Sequence, residues 1–369
     1  MLLHSNLAMI STEDITQFDG AISLLRDCVG SKAGERVLIV REPDNYGYYD
    51  EKTPRIAADA GRHLGLKIYE TVSDSLITDT DGRTKLVDTL TGFDHIVFFS
   101  RVGDQLRFSS DVDIPSSTIC YTLDSDALNS NFSKACHHGM TEVKNAIDVA
   151  FESASEIRVT CPRGTDYAGH PNWTVAAKSD VYLKRFPLLV PRPVPASGFT
   201  GKVALSHFLT GTGSRQYEPY TLDLPVDVIA CLDNNKITHF EGDAAAVKQV
   251  ENHYRTVSEL FNIDPWYVDS WHPGIHPGCQ FGSKAKDDIV RWSGTAFGNP
   301  RVLHFHTCGE FSPGEICWHV LDPTIELDGV AVWENGTLMP KRIKAAREIL
   351  ERHTNLAVLF DNPTRNIGL

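Results

Sequence analysis

An α/β fold is predicted: a parallel α/β domain over residues 1–155, then a strand-rich α+β domain over residues 156–369. Three observations predict it. Helix and strand signals alternate in the first part, as a parallel sheet with helices on its faces requires. Strands dominate from Ile157 onward. Five of the fifteen histidines fall between His272 and His319, which places the chemistry in the second part.

In the first part, Gln17 to Val29 carries apolar residues at helical spacing, and Gly30 and Gly34 punctuate its end. Arg36 to Val40 reads as a buried strand. Lys52 to Leu64 is a helix closed by Gly65, followed by a strand from Leu66 to Thr71. Leu86 to Leu90 suits a short helix, His95 to Phe99 and Thr118 to Tyr121 suit strands, and Met140 to Ser153 suits a helix. No glycine-rich phosphate motif follows any of these strands, which argues against a dinucleotide or P-loop site.

In the second part, Ile157 to Cys161, Gly201 to His207, Thr221 to Leu224, Val226 to Leu232 and Lys236 to Glu241 have β composition. Asp233-Asn234-Asn235 is a hairpin turn between the last two. The proline-rich piece Phe186 to Pro195 is a connector. Ala244 to Phe261 is a helix, Val330 to Trp333 opens a final hairpin, and Lys341 to Thr354 is a closing helix.

A net charge of −13 argues against nucleic acid as a partner, because phosphate binding needs clustered cations. No apolar run reaches membrane-spanning length, and the N-terminus has no secretory apolar core. The eight cysteines form no CxxC pair and read as free thiols of a reducing cytoplasm.

The histidine block reads Trp271-His272-Pro273-Gly274-Ile275-His276, then His304-Phe305-His306, then His319-Val320-Leu321-Asp322. Neutral imidazole is a common transition-metal ligand, and carboxylates complete such sites. His304 and His306 are two apart in an apolar run, so on a strand both project to one face. A third histidine and Asp322 follow one loop later. The aromatic neighbours Trp266, Trp271, Trp292, Phe305 and Trp318 are read partly as core and partly as walls for a flat ring. Arg101 follows a strand at the carboxyl end of the sheet, where an arginine suits a substrate carboxylate. His137 ends a loop that reaches toward a site as a candidate general base.

The order of several short motifs carries a family resemblance. They are Gly164-Thr165-Asp166, Gly198-Phe199-Thr200-Gly201, a hairpin ending His239-Phe240-Glu241-Gly242, Gly274-Ile275-His276-Pro277, Gly309, and Glu326-Leu327-Asp328-Gly329. The chain resembles the superfamily that joins aminopeptidase T-type metallopeptidases to 2,5-dihydroxypyridine 5,6-dioxygenase. The resemblance implies a cytoplasmic, homo-oligomeric metalloenzyme acting on a small molecule. The dioxygenase branch implies one Fe(II) on two histidines and an aspartate, with a His-x-Asp pair that here becomes His319-x-x-Asp322. The peptidase branch implies two metals with additional Glu and His ligands, for which His304, His306, Glu310 and Glu315 are the candidates; the two-His, one-carboxylate set with Zn²⁺ or Mn²⁺ would activate water for hydrolysis.

The expected ligands are His276, His304, His319 and Asp322, with His272 and His306 as alternatives. Arg101, His137 and His306 are the expected catalytic groups, and ring-cleaving oxygen chemistry is expected ahead of hydrolysis.

Overall fold

A computed structural model describes residues 18–106, 114–174, 183–211, 215–309 and 314–369. The first sheet is parallel and contains β1 (Arg36–Arg41), β2 (Lys67–Val72), β3 (His95–Phe99), β4 (Ser116–Cys120) and β7 (Lys184–Phe186). Their spatial order is β2-β1-β3-β4-β7, and every pairing is parallel. Strand β1 explains why its run is continuously apolar. Val37 and Ile39 point into one packed layer and Leu38 and Val40 into another, so neither face meets water.

Helix α1 (Lys52–His63) covers one face with small residues, Ala57, Ala58, Ala60 and Gly61. A Cβ on Gly61 would stand 2.4 Å from the Cδ1 of Ile68, so the helix approaches β2 through the missing side chain. Helix α2 (Thr80–Leu90) is longer than its apolar pattern suggests. Asp79 caps it by accepting the Gly82 N–H at 2.7 Å, and the added first turn is polar.

The second sheet is antiparallel. Along its main path it runs from β17 (Thr337–Leu338) through β16 (Val330–Glu334), β15 (Thr324–Leu327), β5 (Ile157–Thr160), β6 (Asp166–Gly169), β9 (Phe199–Thr210), β14 (Ile316–Leu321), β13 (Val302–Thr307) and β12 (Val268–Pro273) to β8 (Val194–Pro195). Strands β10 (Thr221–Asp233) and β11 (Lys236–Gly242) join it through β9. The two strands expected at Thr221 and Val226 are one strand. Pro225 lacks an N–H and sits where the register shifts between Leu224 and Val228.

The two sheets exchange chain. Strand β7 lies in the second part of the sequence yet pairs with β4. Helix α3 (His137–Ser153) lies in the first part, yet Met140, Val143, Ile147 and Phe151 pack into the core of the second sheet. Helix α4 (Ala244–Phe261) covers that core with Val250, Tyr254 and Val257. Its N-terminus is capped by Asp243, and it ends at left-handed Asn262. Helix α5 (Ile289–Ala296) lies on the other face and contributes Trp292. The single closing helix expected from Lys341 is two, α6 (Lys344–Arg352) and α7 (Thr354–Asp361), broken at His353. No helix among the described residues is long and apolar enough to cross a membrane.

Candidate metal centre

The site is built by the register of three neighbouring strands. His272 of β12 pairs with His304 of β13, and His304 pairs with His319 of β14. Directly opposed residues share a face, so these imidazoles form one transverse row. His306 stands on the same face in the next row, between Ser270 and Cys317. The alternate residues Trp271, Phe305 and Trp318 point away into the main core. Period-two alternation thus divides one block into a dry aromatic face and an imidazole face.

Three of these rings converge. A ligand nitrogen from each of His272, His304 and His306 lies within 4.8 Å of the others, and all three residues are buried. The hydrogen bonds around two of them set their tautomers. Nδ1 of His272 faces the carbonyl oxygen of Pro191 at 3.2 Å, and Nδ1 of His306 faces the Glu315 carboxylate. Both acceptors require a proton on Nδ1. In neutral rings both Nε2 atoms then carry lone pairs, and those atoms face each other at 3.0 Å. Two lone pairs at that distance repel unless a cation lies between them. A proton would serve two nitrogens, but the third imidazole suits a metal ion. Backbone carbonyl and carboxylate partners on the far ring nitrogens are the usual support for metal-bound histidines. The residues therefore fit a transition metal held by His272, His304 and His306.

The surroundings hold the rings. Phe297 stacks on His304 with centroids 4.2 Å apart and planes 8° apart. Glu315 is itself buried, and Cys317 places its sulfur 3.9 Å from Nδ1 of His306. A register irregularity between Val268 and Ser270 brings Asp269 into electrostatic contact with His306 and Glu315. Burial raises the Asp269 carboxyl, against hydrogen bonds from Ser270 and Tyr267.

The other expected residues lie elsewhere. His319 is in register with His304, but its ring sits among Phe208, Trp292 and His207. Neither of its nitrogens has a hydrogen-bond partner, and burial pushes it down to about 3, so it is neutral. Asp322 adopts a left-handed turn, φ 49°, which carries its carboxylate to Arg301 at 2.7 and 2.8 Å and to Arg365 at 2.8 Å. It is a charge partner of two arginines, away from the three imidazoles.

His276 lies in the loop after β12, edge-on to Phe132, and its Nδ1 accepts the Gly278 N–H at 3.2 Å. Burial pushes it down to about 3. His137 opens α3 against Phe186, and burial pushes it down to about 4; its charge neighbours include Asp27 and Lys184. Arg101 does stand at the end of β3, but its guanidinium donates to Glu42 at 2.9 and 2.8 Å and lies over Tyr48. That bidentate pair fills the fork expected to hold a substrate. Glu310 lies outside the described residues.

His272 and Glu315 are thus more central than the sequence pattern made them, and Asp269 and Phe297 carried no signal of their own. The signal for His272 was its place in an apolar run that could pair with His304.

The fold as a whole matches solved structures. It is similar to 2,5-dihydroxypyridine dioxygenase from Pseudomonas putida KT2440, with a TM-score of 0.57 and 14% identity, over 90% of this chain and 98% of that one. Wild-type AmpT from Thermus thermophilus aligns with a TM-score of 0.46 and 9% identity, over 85% of this chain and 95% of that one. No family model and no curated protein sequence matches the chain. At 14% identity the likeness to the first of these is one of fold.

Proposed function

We propose that this chain is a metal-dependent enzyme, and that its reaction is oxygen-dependent opening of a small hydroxylated aromatic or N-heterocyclic ring. The observation that carries the first statement is the pair of Nε2 atoms of His272 and His306 aimed at each other, with both Nδ1 atoms engaged. One divalent transition metal, Fe(II) by preference, would be held by His272, His304 and His306. Bound there, such an ion supplies Lewis acidity and open positions for a chelating substrate and dioxygen.

The protein's own groups do the rest. Glu315 holds the proton on Nδ1 of His306 and fixes that ring's direction. Phe297 fixes the plane of His304. Asp269, its carboxyl raised by burial, adds an acidic group to the electrostatic surroundings of His306. Phe297 and Trp292 give the imidazole face aromatic neighbours suited to a flat ring. The oxidative reading is supported by the fold shared with 2,5-dihydroxypyridine dioxygenase over nearly its whole length.

A metal-dependent hydrolase is the second reading. One observation favours it: among the described residues the converging group is three imidazoles, a set that with Zn²⁺ keeps a fourth position for an activated water. Oxygen uptake by anaerobically Fe(II)-loaded protein, with a panel of hydroxylated pyridines and catechol-like acids, separates the two. Uptake matched to ring opening is expected. No uptake, with anaerobic turnover of amide or peptide substrates under Zn²⁺ or Mn²⁺, moves the assignment to hydrolysis.

A further inference from the structure

A second group of reactive side chains lies at the other end of helix α3's environment, where the break between α6 and α7 meets the start of α3. Cys136 is the N-cap of α3 and, among the eight cysteines, the exposed one. Others are packed away, and burial pushes Cys28, Cys120 and Cys308 up to about 12.

The Cys136 sulfur accepts the Gly139 N–H at 3.4 Å, at the positive end of a 17-residue helix. It also lies 3.8 Å from Nδ1 of His353. On the far side of that ring, Nε2 is 2.8 Å from the Glu142 carboxylate, whose other oxygen accepts from Arg352 at 2.9 Å. Glu142 is an acceptor held below the usual carboxylate range, first by the hydrogen bond to His353. The ring proton therefore sits on Nε2, and the Nδ1 lone pair faces the thiol. Thiol, imidazole and carboxylate stand in the order that activates a cysteine.

Two further features suit this use. Gly139 lets the ring approach, since a Cβ there would lie 3.0 Å from the Cγ of His353. A surface cavity of about 300 Å³ adjoins the sulfur, lined by Asn131, Lys134, Cys136, Asn355, Leu356 and Asn362. His138, Glu142 and His353 also stand close enough to share a cation. His138 of that group is exposed, and Glu142 is already shared between His353 and Arg352.

We propose that Cys136 is a thiol-exchange site that takes low-molecular-weight disulfides from the adjoining cavity, with His353 as its base and Glu142 as the residue that positions His353. The Cys136 thiol gives its proton to Nδ1 of His353. The thiolate attacks one sulfur of the incoming disulfide, the new S–S bond forms, and the old one breaks. The departing thiolate takes the proton back from His353, leaving a mixed disulfide on Cys136 and one free small thiol. The step needs a nucleophilic sulfur and a proton carrier, the places of Cys136 and His353, and no oxyanion hole. The three asparagines suit a disulfide bearing amides and carboxylates.

The test uses the full chain and glutathione disulfide, with peptide mass spectrometry reporting each cysteine. At about pH 6.5, Cys136 in the folded protein should form the mixed disulfide at least about tenfold faster than Cys136 in the same protein unfolded in urea. His353→Ala should remove most of that excess. Glu142→Gln should slow the reaction at about pH 6.5 and leave it near wild type at about pH 9, where hydroxide makes the base unnecessary. A folded-state rate no higher than the unfolded rate overturns the proposal, and so does His353→Ala reacting like wild type. If His353→Ala does not fold, the folded-to-unfolded comparison in the wild-type chain decides alone.

Discussion

At the carboxyl end of the parallel sheet, Arg101 and Glu42 are buried together, and the guanidinium meets both carboxylate oxygens. On the imidazole face of the other sheet, His272 and His306 are buried just as deeply, and two nitrogen lone pairs meet each other. Both are polar clusters in a low-dielectric interior, where every unpaired group is costly. The first is complete within the chain and so has nothing left to offer a ligand. The second brings three ligand nitrogens within 4.8 Å of one another, a spacing that suits a shared cation. Burial alone does not mark a functional site; convergence of several ligand atoms on one point does.

The largest effect should come from breaking the incomplete cluster. His306→Ala should reduce the bound transition metal to under about a tenth of wild type, since one of three ligands is lost with its carboxylate support. Elemental analysis of protein purified without chelators measures it. Retention of full metal would mean that the cluster is not the centre.

Breaking the complete cluster should do the reverse. Glu42→Ala leaves the Arg101 charge buried and should cost about 3–5 kcal/mol in chemical denaturation. Metal content per folded chain should stay unchanged. If instead stability holds and substrate affinity falls, Arg101 has a role beyond its partner.

Asp322→Asn probes a third, half-buried set. It weakens contacts to Arg301 and Arg365 and should cost about 1–2 kcal/mol with the metal retained. Loss of metal from a folded Asp322→Asn protein would restore Asp322 to the ligand set.

The last effect is a slope. Burial pushes His253 down to about 4 and His276 down to about 3 in the folded chain, against about 6.5 when unfolded. Above that value neither state is protonated, and the full contribution is present. As pH falls below it, the unfolded chain takes up protons that the folded chain refuses, so stability falls, until each folded value is reached. Each group adds a slope of up to about 1.4 kcal/mol per pH unit in that window. His253→Leu should flatten denaturation midpoints between about pH 6 and 4. An unchanged profile would show that His253 takes up its proton as readily in the fold as in the unfolded chain.

The alternation of helix and strand, the helix Ala244–Phe261 and the shared face of His304 and His306 were all legible from local periodicity. The centre itself was not. His272 becomes a neighbour of His304 through pairing across about thirty residues, and no local pattern encodes that register. Asp322 looked like a ligand because it follows His319 closely, yet a left-handed φ at the strand's end redirects it. Arg101 was placed at the right end of its strand, but its partner Glu42 comes from the end of β1, a contact that only the folded sheet creates. Residue types and faces were readable; the partners were set by non-local pairing.

The row of imidazoles also has a consequence for how this chain can change over generations. Side chains on a strand come in only two orientations, so the centre tolerates no half measures. One residue inserted inside β13 would send His306 through the sheet to the tryptophan side, and one more would bring an equivalent position back. The same insertion in a connecting loop would leave the row untouched. Drift in this chain should therefore gather its length changes outside β12, β13 and β14, and admit them within those strands only in pairs.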